Sequence, residues 1–97
     1  MEERILYHVI LNKDRHVMEN AKHYSNGDLL PRPTALSIAE YIGGSGGFYL
    51  FYLDEAGKEQ TDTFHDTLEQ AFNQAEFEFN IKKNEWEKLA ESYQVSA

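Results

Sequence analysis

The chain has 97 residues, 41% of them apolar and 13% aromatic, with no cysteine and a formal charge of −8. That is the size and greasiness of one packed domain, and it argues against a disordered chain and against two domains. The absence of cysteine excludes disulfides, thiolate metal sites and cysteine nucleophiles. Residues 1–53 hold five Lys/Arg against six Asp/Glu, whereas residues 54–97 hold four against eleven, so the acidic field belongs to the C-terminal half. Such a field repels nucleic acid and anionic membranes and attracts a basic protein.

Taken in chain order, Arg4–Leu11 is rich in β-branched and aromatic residues and reads as a buried strand. Met1-Glu-Glu-Arg4 is acidic, and no run approaches the roughly 20 apolar residues of a membrane span, so a cytoplasmic location is expected. The segment 16–24 suits a helix by the spacing of Val17, Ala21 and Tyr24, with a returning strand as the alternative. Ser25-Asn-Gly-Asp28 is turn chemistry, and the prolines at 31 and 33 hold their neighbours extended. Leu36–Ile42 reads as a strand, followed by the glycine-rich link 43–47. That link lacks the Lys-Ser/Thr and the following helix of a phosphate-binding loop.

Phe48–Leu53 and Glu59–Phe64 form a hairpin across Asp54-Glu-Ala-Gly57. That turn closes Asp54 against Lys58 and fixes the register, so Tyr49, Phe51 and Leu53 are expected to share a face with Thr63, Thr61 and Glu59. Phe48, Leu50 and Tyr52 then share the other face with Phe64, Asp62 and Gln60. Asp66-Thr-Leu-Glu69 resembles a capping box opening a helix over 66–79, with Leu68, Ala71, Phe72, Ala75 and Phe79 on one stripe. Phe77 points the other way, and Ile81 and Trp86 are expected to fold back over it. The charges Glu69, Glu76 and Glu78 read as a solvated face. Asn84-Glu-Trp-Glu87 predicts a short C-terminal helix carrying Trp86, Leu89, Ala90 and Tyr93, with a frayed end at 94–97. The expectation is one α+β domain over 1–97: an antiparallel sheet of three or four strands, a helix on one face and a short helix after it.

No catalytic signature stands out. His8 reads as a satisfied strand histidine, and His16 and His23 have no compelling carboxylate beside them. No Ser/His/Asp set sits on a nucleophile elbow. Asp62, His65 and Asp66 are the densest polar group; they suit a divalent metal or a small active site as one alternative, and a helix cap as the plainer one. No cofactor is called for. The hairpin carries large apolar residues on both faces, and one helix covers only one. The principal expectation is therefore a non-enzymatic interaction module, with Tyr49, Phe51, Tyr52, Asp54, Glu55 and Asp62 meeting a basic protein partner. A homodimer using one hairpin face is the alternative.

Two stretches carry a resemblance. Leu30-Pro-Arg-Pro-Thr-Ala-Leu-Ser-Ile-Ala-Glu-Tyr41 is one. Gly47-Phe-Tyr-Leu-Phe-Tyr-Leu-Asp54 with Thr61-Asp-Thr-Phe-His-Asp66, Gln74-Ala-Glu-Phe-Glu-Phe79 and Glu85-Trp86 is the other. Together they resemble a group of short bacterial proteins of unknown function over about residues 29–87, a likeness that brings no activity with it. In size and acidity the chain is also similar to immunity proteins, which neutralise toxin domains; that likeness implies an inhibitor of a basic partner such as a nuclease toxin.

Overall fold

The computed structural model describes residues 3–12, 16, 24–25, 27–29, 32–41, 43 and 46–89. Five strands form one antiparallel sheet: β1 (Glu3–Ile10), β4 (Ala35–Tyr41), β5 (Phe48–Leu53), β6 (Glu59–His65) and β7 (Glu87–Lys88), in the spatial order β6-β5-β4-β1-β7. The short strands β2 (Tyr24–Ser25) and β3 (Asp28–Leu29) pair with each other around Gly27. The helix α1 (Leu68–Phe79) leaves the β6 edge and lies against one sheet face, after which the chain returns to the opposite edge as β7. The architecture is α+β as expected, with five strands in the sheet rather than three or four.

The core lies between α1 and the sheet. Leu36, Ile38, Leu50 and Tyr52 on the central strands, with Val9 beside them, meet Ala71, Phe72, Ala75 and Phe79 of the helix. Alanines at 71 and 75 let the helix backbone approach the sheet, so the aromatic rings on either side interlock. Ile81 and Trp86 close the end of this core, Trp86 meeting Phe72 edge-on at 5.7 Å. Each large side chain fully removed from water here contributes roughly 1.5–3 kcal/mol. Ile81 and Trp86 therefore serve the core and leave Phe77 60% exposed, contrary to the expected covering role.

Two bulges decide which side chain faces which way. In β1 the ladder runs Ile5↔Ala39 and then Tyr7↔Ile38, so Leu6 is an extra residue, and Ile5 and Tyr7 take opposite faces. In β6 the ladder runs Leu53↔Glu59 and then Tyr52↔Thr61, so Gln60 is extra. Asp54 does close against Lys58, its N–H reaching the Lys58 carbonyl at 2.8 Å. Beyond Gln60, however, every β6 side chain is inverted relative to the expected register, because the extra residue shifts the alternation by one. Phe64 and Asp62 join Tyr49 and Phe51, and Thr61, Thr63 and His65 lie on the helix side.

The helix starts one residue later than the capping-box reading. Thr67 is the N-cap, its hydroxyl accepting from the Gln70 N–H at 3.2 Å, and the Gln70 side chain accepts from the Asp66 N–H at 3.0 Å. Asn80 ends it in the left-handed region at φ 58°, its N–H donating to the Glu76 carbonyl at 2.8 Å. The expected C-terminal helix is absent over the described part of its range. Residues 83–85 make one 3₁₀ turn, and Glu87–Lys88 pair with His8 and Tyr7 as a strand. Ala90, Tyr93 and the 94–97 end lie outside the described residues, as does most of the 16–24 segment.

Candidate functional site

The sheet face away from α1 gathers the residues of most chemical interest. Tyr49 is its hub: it stacks on Phe51 at 6.2 Å and meets Tyr41 and Phe64 edge-on at 4.9 and 5.1 Å. Cross-strand pairing builds this cluster directly, since Ala39↔Tyr49↔Phe64 runs across three strands and the small Ala39 leaves room for the rings. Phe51 is only 5% exposed and forms the floor, whereas Phe64 at the sheet edge is 51% exposed. Gly47, at φ 91°, lies under the Phe64 ring; a Cβ there would stand 2.3 Å from a ring carbon.

Acidic groups border the rings. Glu59 and Asp62 occupy the outer strand of the same face, with Glu3 across the sheet. The Glu59 carboxyl is pushed up by partial burial first, then by the charge and hydrogen bond of Asp62 and the charge of Glu3. Tyr41 is raised by desolvation and by the same three carboxylates. Among the described residues no Lys or Arg forms an ion pair with Glu59 or Asp62, while Glu69, Glu76 and Glu40 each have one. The face thus presents aromatic rings, which favour a cation at their centre, beside carboxylates lacking a cationic partner.

The six expected partner-binding residues separate into three groups. Tyr49, Phe51 and Asp62 meet on this face. Asp54 and Glu55 sit on the β5–β6 turn, lining with Arg32 a hollow of about 330 Å³. The Asp54 carboxylate is occupied there, accepting from the Ala56 and Lys58 N–H groups at 2.9 Å each. Tyr52 is fully buried on the helix side and donates its hydroxyl hydrogen bond to Glu78, so it takes no part in the exposed face. Glu78 was expected among the solvated charges and is 5% exposed instead. Its spacing held the signal, since it lies three residues after Ala75 and seven after Ala71, on the buried stripe.

The trio Asp62, His65 and Asp66 is not assembled. Asp62 projects from one face, and His65 lies on the other, 2.8 Å from the Thr63 hydroxyl. Burial lowers the His65 pKa, against the raising effect of Glu78 and Asp66. Among the described residues no three His, Asp or Glu side chains are placed to hold a metal ion.

Two further histidines have partners that the sequence did not reveal. His16 is buried; its Nδ1 accepts from the Asn12 N–H at 2.8 Å, which leaves Nε2 to donate to Glu85 at 2.7 Å. With Arg32 donating to the His16 carbonyl, this pins the chain after β1 to the turn before β7. His8 Nδ1 lies 2.9 Å from the Ser37 hydroxyl, and Glu87 stands opposite His8 in the ladder. The residue types are those of a hydrolytic triad, and they border a hollow of about 340 Å³. Yet Ser37 is 3% exposed and lies mid-strand, where neighbouring N–H groups serve the ladder and no oxyanion hole is formed. The pair is a cross-strand hydrogen bond.

No helix of the described residues is long and apolar enough to cross a membrane. No protein family, curated protein or solved structure matches the chain.

Proposed function

We propose that this protein is a small non-enzymatic interaction module that docks a basic protein through the Tyr41–Tyr49–Phe64 face, most concretely as an immunity- or inhibitor-type protein. The observation that carries this reading is the juxtaposition on one sheet face of an aromatic cluster with Glu59 and Asp62, carboxylates that crowd one another and have no cationic partner among the described residues. An arginine or lysine from a partner relieves that repulsion and gains the ring faces, a combination typical of interface hot spots. The net charge of −8 adds long-range attraction for a cationic surface.

A second copy of the chain fits this face less well. Packing two such faces together brings the carboxylates Glu3, Glu59 and Asp62 of both copies into one contact with no described cationic partner for Glu59 or Asp62, a gathering of like charge that disfavours the pair. The test is capture of a partner from extract of the source organism by the wild type and by Asp62→Lys and Tyr49→Ala variants, at low and at high salt. A basic protein held at low salt, released by salt and lost in both variants is the expected result. A partner retained by both variants, or none that salt releases, overturns the reading.

A further inference from the structure

We propose that the cleft between the start of β1, the first turn of α1 and β7 binds a small organic anion with an apolar body, such as a medium-chain carboxylate. The cleft measures about 620 Å³, within the roughly 300–1,000 Å³ usual for small-molecule sites. Leu6, Tyr7, Leu68 and Leu89 give it an apolar wall, and its charged lining residues are Arg4 and Lys88. No Asp or Glu among the described residues lines it, in a chain that carries 17 of them against 9 Lys and Arg. A cleft that collects cations in so acidic a protein selects for a negative headgroup.

Both cations have spare capacity. The Arg4 Nε is buried and has no hydrogen-bond partner, and its Nη1 reaches Glu40 only at 3.5 Å. The Arg4 side chain is nevertheless 35% exposed and lines the cleft, so its outer guanidinium N–H groups are open to an acceptor there. Lys88 forms no ion pair among the described residues, and it lies beside Tyr7 in the β1–β7 ladder. The architecture accounts for the opening. β7 pairs only with Tyr7 and His8, and the Leu89 N–H adds one bond to the Leu6 carbonyl at 3.0 Å, so the outer side of Arg4 and Ile5 borders the cleft. The bulge at Leu6 bends the strand at the same place, as bulges beside binding sites commonly do.

The test uses the full-length chain, isotope-labelled, titrated with sodium decanoate, decanol and decylammonium and followed by amide NMR shifts. Decanoate is expected to shift Arg4–Tyr7, Leu68 and Leu89 saturably, and decanol and decylammonium to bind there at least about tenfold more weakly, a discrimination of one charged contact. Lys88 is exposed on a two-residue strand, so Lys88→Glu keeps the fold, which the unfolding midpoint checks, and it lowers decanoate affinity about tenfold. Lys88→Gln falls between. Equal binding of the three probes, an unchanged affinity in Lys88→Glu, or no saturable shift at these amides overturns the proposal.

Discussion

Tyr52→Phe tests the least legible part of the core. Tyr52 is fully buried, and its hydroxyl donates to Glu78, which is 5% exposed; the Thr63 hydroxyl adjoins the same phenol and reaches His65 at 2.8 Å. The substitution keeps the ring that packs at 6.1 Å from Phe79 and removes only the donor. A bond to a charged group in such a site is worth about 1.5–3 kcal/mol, so the variant should lose about 2 kcal/mol. For a domain of this size each kcal/mol moves Tm by roughly 4–8 °C, which predicts a fall of about 10 °C at pH 8. The pH dependence supplies a second signature. Burial, then the bond to Glu78, raises the Tyr52 pKa above its ordinary 10.0. Between the two values the native state keeps a proton that the unfolded state has lost. Wild-type stability due to this group is therefore complete below pH 10 and declines by about 1.4 kcal/mol per pH unit above it. The variant has no such group, and the decline due to Tyr41 is common to both proteins. Urea unfolding at pH 8 and at pH 11 should show the gap between wild type and variant narrowing by about that amount. A gap under about 0.5 kcal/mol at pH 8, or one of the same size at both pH values, refutes the reasoning.

Three other outcomes follow from particular contacts. Thr67→Ala should lower stability by about 1 kcal/mol and Asp66→Ala by only a few tenths in denaturant unfolding, because Thr67 makes the cap bond; the reverse order would restore the cap to Asp66. Gly47→Ala should cost about 1–3 kcal/mol and shift the Phe64 ring resonances, since φ 91° is strained for alanine and its Cβ meets that ring; Phe64→Ala in the same chain should recover part of the loss, and a neutral single variant would contradict the geometry. Glu59→Gln should raise the thermal midpoint at pH 7. The native carboxyl titrates above its unfolded value, so its unfavourable effect is absent at low pH and complete once pH has passed the native value; no gain at pH 7, or an equal gain at pH 3, would argue against crowding by Asp62.

The strands, the helix and its buried stripe were legible because each depends on local pattern. Val9, Leu36 and Leu50 sit where alternation demands, and Ala71, Phe72, Ala75 and Phe79 where a period of 3.6 demands. The face that carries the proposed function was half legible. Tyr49, Phe51 and Asp62 were identified and do meet, but for a register that the ladder does not follow. The roles of Tyr52 and Glu78 were missed because a polar residue on an apolar stripe declares itself only when its partner on another element is known.

Composition and periodicity by themselves determined that this chain is α+β with an acidic C-terminal half, that the 48–64 segment is a hairpin, and that an amphipathic helix follows it. Only the tertiary structure decided the faces. One extra residue at Leu6 and one at Gln60 invert the side chains beyond them, and such a bulge is a choice of backbone pairing that leaves no trace in composition. The fate of Glu87–Lys88 was decided the same way. Two residues have too little intrinsic preference to choose between helix and strand, and the open edge of β1 at Tyr7 and His8 makes the choice for them.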